Sequence, residues 1–294
     1  MVFPSSSCHN IAMEIYIVHA FTDKVFGGNP AGVVLLSHEE AFPETNVCIK
    51  IAAELRCSET VFIKKEEHFT LRYFTPTDEV PLCGHATIAA SHILLKKHPS
   101  LNNTTFLIDT LSGLLPITIE DSFIWMTMGK PEIRDFVFSK SLENDLYKIM
   151  GIKNSALPLK PKIVSTGLAD IILPVKDVNE ITPDYHKLSR FSKDLDVVGV
   201  HAFSQGEGEV TCHTRNFAPL YGIPEEAATG TASGALTYYL YDQGLIEKNS
   251  SCLFLQGEAM NRPSLIKTRI KNEDAITIET GGKAVVFQEG KLNL

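Results

Sequence analysis

At 294 residues, 44% of them hydrophobic and 21% charged, the chain has the balance of a globular enzyme and enough length for two cores. No apolar run approaches the roughly 20 residues that cross a bilayer, which excludes a helical membrane protein. A net charge of -8 without any lysine/arginine block excludes nonspecific nucleic-acid binding, so the expected partner is a small molecule.

The opening residues MVFPSSSCHNIAM have neither a basic nor an apolar leader segment. Residues 1–12 are read as a flexible extension, with Met13 at the start of the first strand-like run, EIYIVHAF. Strand-like and helix-like segments then alternate: VVLL, the helical ETNVCIKIAAELR, SETVFIKK and HFTLRYFT. In GHATIAASHILLKK the apolar residues nearly encircle the helix, so it is expected to be buried on most sides. TTFLID, LLPITIE and FIWMTMG read as strands, and SKSLENDLYKIMG as a surface helix stopped by Gly151. The second half continues with strands PKIVS, ADIILPV, VVGVHAFS and EVTCHTRNF, then the helix GTASGALTYYLYDQ before Gly244. Four strand candidates close the chain, around CLFLQG, LIKTRI, AITIET and AVVFQE. Cys8, Cys48, Cys57, Cys83, Cys212 and Cys252 form no CxxC pair, which suits free thiols in a cytoplasmic protein.

Two segments repeat one pattern. In RYFTPTDEVPLCGHATIAASHIL and RNFAPLYGIPEEAATGTASGALTYYL, Arg72, Phe74 and Pro76 align with Arg215, Phe217 and Pro219. After a three-residue insertion, Gly84, Ala86 and Thr87 align with Gly230, Ala232 and Ser233. Two duplicated halves follow from this, each with a helix that begins after a glycine. A helix start leaves backbone N–H groups unpaired at the positive end of the macrodipole, so two of them can grip one carboxylate. Gly84 and Gly230 would let a ligand approach the backbone, with Cys83, His85, Thr229 and Thr231 beside it. An ordinary helix start explains either motif taken alone.

The segments NPAGVVLL (Asn29–Leu36), SETVFI (Ser58–Ile63), Arg72–His92 and Arg215–Leu236 resemble, in order, the signatures of the PhzF-like family of phenazine biosynthesis. The resemblance implies an α/β (α+β) diaminopimelate-epimerase-like fold of two similar domains, each a barrel-like sheet wrapped around a central helix. The domains are expected over residues 13–130 and 131–283, with the last strand, 284–294, crossing back to complete the first. The resemblance further implies a homodimer, an active site in the cleft between the halves, and a cofactor-independent isomerase that shifts a proton between carbons of a small carboxylated metabolite.

Glu59, read as lying in the strand SETVFI, would share a face with Val61 and Ile63, and desolvation there should raise its pKa toward the range useful for general acid/base work. The bare sequence equally allows a solvated edge residue; the SET motif of the family assigns Glu59 as the acid/base. His85 is assigned to the site by the family motif CGHAT. Glu226 and Thr231 occupy positions where the family typically has Asp and Ser, and Ala227 replaces a proline that would stiffen the loop. These departures leave room for a catalytically inactive binding protein on the same scaffold. Cys83 offers a rival mechanism, since related epimerases and racemases use two facing cysteines; the second position is here Thr229, which cannot act as the matching base. Epimerase/racemase or dehydratase chemistry through Cys83 alone stays open beside a buried, inert thiol. Arg72 and Arg215 read as structural, and Asn29 and Gly32 as a turn near the cleft. No metal site is expected: His85 and His92 stand two helical turns apart, roughly 10 Å, too far to share an ion.

Overall fold

The computed structural model describes residues 12–37, 41–153, 158–272 and 275–293. Of the expected extension only Ala12 falls within them, where it opens the first strand. In chain order the first half contains β1 (Ala12–Ala20), β2 (Asn29–Leu35), α1 (Thr45–Leu55), β3 (Thr60–Lys65), β4 (Phe69–Phe74), β5 (Glu79–Val80), α2 (Gly84–Lys97), β6 (Thr104–Thr110), β7 (Gly113–Glu120) and β8 (Phe123–Thr127). There follow β9 (Glu132–Ile133), α3 (Lys140–Ile149), β10 (Lys162–Ser165), β11 (Ala169–Pro174), α4 (Tyr185–Asp194), β12 (Val200–Gln205) and β13 (Cys212–Ala218). The chain ends with β14 (Ile223–Glu226), α5 (Gly230–Asp242), β15 (Ser251–Gln256), β16 (Ser264–Asn272), β17 (Ile276–Gly282) and β18 (Ala284–Asn293).

Both halves follow one pairing scheme. β1–β2 is antiparallel, β2–β3 parallel, β3–β4 antiparallel, β4–β6 parallel, and β6–β7 and β7–β8 antiparallel. The series β10, β11, β12, β13, β15, β16, β17 repeats these senses strand for strand. Each half then lends a strand to the other. β9, which follows β8, pairs with β10, and β18, which follows β17, pairs with β1 from Ala20 back to Ala12. β8 and β17 join the halves directly, with Trp125 opposite Gly281.

Each sheet curls around a helix that is apolar nearly all round. In α2 every residue from His85 to Ser91 is buried, together with Ile93 and Leu94; α5 is buried at Gly230, from Ala232 to Thr237, and at Tyr239 and Leu240. Inward side chains of both sheets and both helices form one continuous apolar cluster. Two further cores lie on the outer faces, one under α1 and one under α3 and α4. Side-chain alternation sorts them, since Val61 and Ile63 point inward to α2 while Phe62 points outward to α1. Helix α4 and the short strands β5, β9 and β14 are absent from the sequence-based expectation. The first has few apolar residues, and the others are too short to show a period.

The repeated arginines are structural, as expected. Arg72 grips Glu79 through two bonds of 2.7 Å, and Arg215 grips Glu225 at 2.8 and 2.7 Å. In each half the pair clamps the short strand β5 or β14 to β4 or β13.

Candidate active site

The starts of α2 and α5 bring residues of the two halves together. Their N-cap residues, Cys83 and Thr229, make no side-chain capping bond, so the first-turn N–H groups have no cap in either helix. Thr229 has a capping hydroxyl but turns it to Glu226 Oε2, to which it donates at 2.6 Å. The repeat extends to the next turn: Thr87 Oγ1 donates to the Cys83 carbonyl at 2.7 Å, and Ser233 Oγ to the Thr229 carbonyl at 2.8 Å.

His85, 3% exposed, stands between the halves. Its Nε2 lies 3.2 Å from Glu59 Oε2 and its Nδ1 lies 3.3 Å from Glu226 Oε1. Burial disfavours its charge, but the contacts with Cys83, Glu226 and Glu59 together raise its pKa well above the ordinary 6.5, which favours an imidazolium between the two glutamate side chains. Glu59 comes just before β3 instead of within it, although its carbonyl already takes the first ladder bond, from Gly32. Its pKa also departs from expectation. Desolvation pushes upward, but the charge and contacts of His85, with Ser58 and Cys83, outweigh it and leave the carboxyl below its usual value. Glu59 Oε2 is buried and within ion-pair distance of His85, yet no hydrogen bond is well directed at it.

Glu226 lies on β14 and not in a loop, opposite Asn216 of β13. Asn29 reaches it from the first half, donating through Nδ2 to Glu226 Oε1 at 2.9 Å and to the Ala228 carbonyl at 3.0 Å. Asn29 and Gly32 belong to β2 itself; the turn is Gly27 and Gly28 before them. Gly28 has φ +68°, and a Cβ there would fall 2.3 Å from the Ala20 carbonyl oxygen, so only glycine fits. Arg262, unnoticed in the sequence, holds this turn from the second half through the carbonyls of Gly28 and Gly27. Gln256 was missed as well. It donates to the Glu226 carbonyl and to Thr229 Oγ1 and accepts from the Thr229 N–H, locking the loop before α5. A polar residue ending an apolar strand before Gly257 is the sequence signal for it.

Thr231 is the second residue of α5, as His85 is of α2, and its carbonyl accepts from Thr166 Oγ1. A Cβ at Gly84 would meet only Met126, at 3.4 Å. At Gly230 the nearest neighbour of such a Cβ is Phe21, at 3.2 Å, so this glycine also makes room for packing. Cys83 Sγ lies 3.4 Å from His85 Nδ1, and burial followed by Glu59 raises its pKa, which keeps it a thiol. Glu59, Cys83 and His85 each bring one donor atom within 4.8 Å of the others. That spacing would suit a metal ion, but a ring with carboxylates on both nitrogens is a donor, and the cluster is accounted for as an ion-pair chain.

A family model described as phenazine biosynthesis-like protein matches residues 18–290. The chain is 34% identical to an uncharacterized isomerase of Clostridium acetobutylicum, over 96% of its own length and 98% of the relative's. It is 30% identical to a trans-2,3-dihydro-3-hydroxyanthranilate isomerase of Pseudomonas chlororaphis, over 95% and 98% of the two chains. The crystal structure of a PhzF-family phenazine biosynthesis protein from Bacillus anthracis superposes with a TM-score of 0.85 at 25% identity, covering 96% and 99%. Fold and relatives define the class: this is an isomerase built of two similar halves. The chain belongs to the phenazine biosynthesis-like PhzF family. Among the described residues no helix is long and apolar enough to cross a membrane.

Proposed function

We propose that the chain isomerises a small carboxylated substrate by moving a proton between two of its carbons, with Glu59 as the group that takes and returns it. The observation that carries this is Glu59 Oε2: a buried carboxylate oxygen, ionised against His85, with a lone pair that no well-directed hydrogen bond uses. A bound substrate that excludes water weakens the solvation of that charge further and sharpens its basicity. His85 holds Glu59 in place and can return a proton; Glu226, fixed by Asn29 and Thr229, orients His85 from the other half. The uncapped starts at Gly84 and Gly230 supply N–H groups for the substrate carboxylate. Acid and base both come from the chain, so the reaction as proposed calls on no cofactor.

The named substrate of the Pseudomonas relative, a cyclic hydroxy amino acid carboxylate, is the first candidate. Conversion of trans-2,3-dihydro-3-hydroxyanthranilate, followed by proton NMR, is expected in the natural protein. It should fall by roughly 10² to 10⁴ in Glu59→Gln, the usual worth of a positioned acid/base. Cys83→Ser should stay within about tenfold, since a neutral thiol is not the base. The reverse pattern would transfer the chemistry to Cys83.

A further inference from the structure

One buried carboxyl on the inner face of the second half takes no part in the mechanism above. Asp170, on β11, is 2% exposed, and its Oδ1 has no hydrogen-bond partner. Buried carboxyl oxygens are nearly always partnered, and no protein group supplies a partner to this one. The duplication locates it. In the first half the Gly32 N–H donates to the Glu59 carbonyl, and in the second the Ile171 N–H donates to the Gly199 carbonyl, both at 3.0 Å. Gly199 therefore stands in the place of Glu59, and Asp170 in the place of Ala31. No side chain can occupy position 199, because a Cβ there would lie 1.9 Å from the Phe217 carbonyl oxygen. The second half thus carries its carboxyl one strand over.

Its direction follows from alternation along β11. Ile171 and Leu173 join the outer core, whereas Ile172 joins the inner one, so Asp170 also faces inward, toward the side on which α5 packs. Around it, β10 presents apolar Val164, β12 presents His201, β13 presents Asn216 and β14 carries Glu226. The first turn of α5, Gly-Thr-Ala-Ser, has no titratable group. His201 gives its Nδ1 to Asn216, and burial pushes its pKa down to about 4, so it brings no positive charge. Burial, helped by the nearby Glu226, pushes the Asp170 carboxyl up to about 7, with the Gly199 backbone opposing. A carboxyl in such a place keeps its proton in mildly acidic solution and gives it up across neutrality.

We propose that Asp170, in its acid form, donates a hydrogen bond from Oδ1 to the substrate carboxylate at the Gly230 helix start, as the second half's counterpart to Glu59. The inference rests on the isomerase mechanism proposed above. As Glu59 takes the proton from carbon, negative charge grows on that carboxylate, and a hydrogen bond donated to it by Asp170 would stabilise the charge. Asp170 keeps its proton throughout; only a hydrogen bond shortens.

Two readouts on the full chain test this, with 3-hydroxyanthranilate as an unreactive aromatic carboxylate probe. In carbon-13 NMR of carboxyl-labelled aspartate, the Asp170 signal is identified by its loss in Asp170→Asn. It is expected to titrate near neutrality and to move when millimolar probe is added. A signal that is ionised through mildly acidic pH, or one that the probe leaves unmoved, overturns the proposal. In calorimetry, wild-type affinity for the probe should fall as pH rises past the midpoint, approaching about tenfold per pH unit. Asp170→Asn, whose amide donates but does not titrate, should flatten that slope, and Asp170→Ala should bind weakly at every pH. Parallel slopes in wild type and Asp170→Asn would contradict it. Probe binding with the expected slopes but no conversion of any carbon acid would sink the isomerase mechanism and leave the Asp170 contact standing.

Discussion

A carboxyl buried as deeply as Glu59 would ordinarily keep its proton, and it is the imidazolium of His85 that removes it. The two shifts have opposite signs: His85 lowers Glu59, while Cys83 first, then Glu226 and Glu59, raise His85. Glu59 is held below its ordinary 4.5, so its share of the stabilisation is present above that value and lost as pH falls through the lowered pKa. His85 is raised above 6.5, so its share is complete below that value and lost as pH rises through the raised pKa. Both shares are present together between about 4.5 and 6.5, and Glu59 stays ionised well beyond that window. Substituting His85→Gln keeps a hydrogen-bonding side chain but removes the charge, so that burial acts on Glu59 against only the weaker contacts of Ser58 and Cys83. The acid limb of the rate profile should move to higher pH, with a rate loss on the order of 10² to 10⁴. An acid limb left in place would mean that Glu59 does not owe its ionisation to His85.

Two helices show how the same kind of residue is put to different use. Ser139 caps α3 in the usual way, its Oγ accepting from the Leu142 N–H at 3.2 Å, and Ser139→Ala should cost about 0.5 to 2 kcal/mol of stability without touching the site. Thr229 stands at the N-cap of α5 and caps nothing, because its hydroxyl serves Glu226. Thr229→Ala removes that bond and the one from Gln256 Nε2, so it should lower the melting temperature modestly and activity more, through a loosened Glu226; paired melting curves and rate measurements check both. The sequence shows such helices clearly, because an apolar pattern running all round α2 and α5 has one explanation in a protein of this size. It hides α4, whose buried residues are only Leu188 and Ser192, and β14, which exists because Arg215 and Glu225 clamp it. Glu226 was consequently expected on a loop when it lies on a strand.

At the scale of the molecule, duplication and exchange explain why the site sits where it does. Strands β9 and β18 cross to the opposite half, β8 and β17 form the seam, and both central helices start beside it. Glu59, His85 and Glu226 stand out in the sequence because they fall in segments that resemble family signatures, a short one for Glu59 and longer ones for His85 and Glu226. Asp170 was not, since ADIILPV reads as any buried strand and only the paired register of the two halves shows what its carboxyl replaces. The halves are alike in backbone and unlike in side chains, with Glu59, Cys83 and His85 brought by the first and Glu226 by the second. The most direct test is solvent exchange. In deuterated water, with trans-2,3-dihydro-3-hydroxyanthranilate as substrate, deuterium should enter the product at carbon in the natural protein and in Cys83→Ser, and not in Glu59→Gln. Incorporation that persists in Glu59→Gln and disappears in Cys83→Ser would contradict the account.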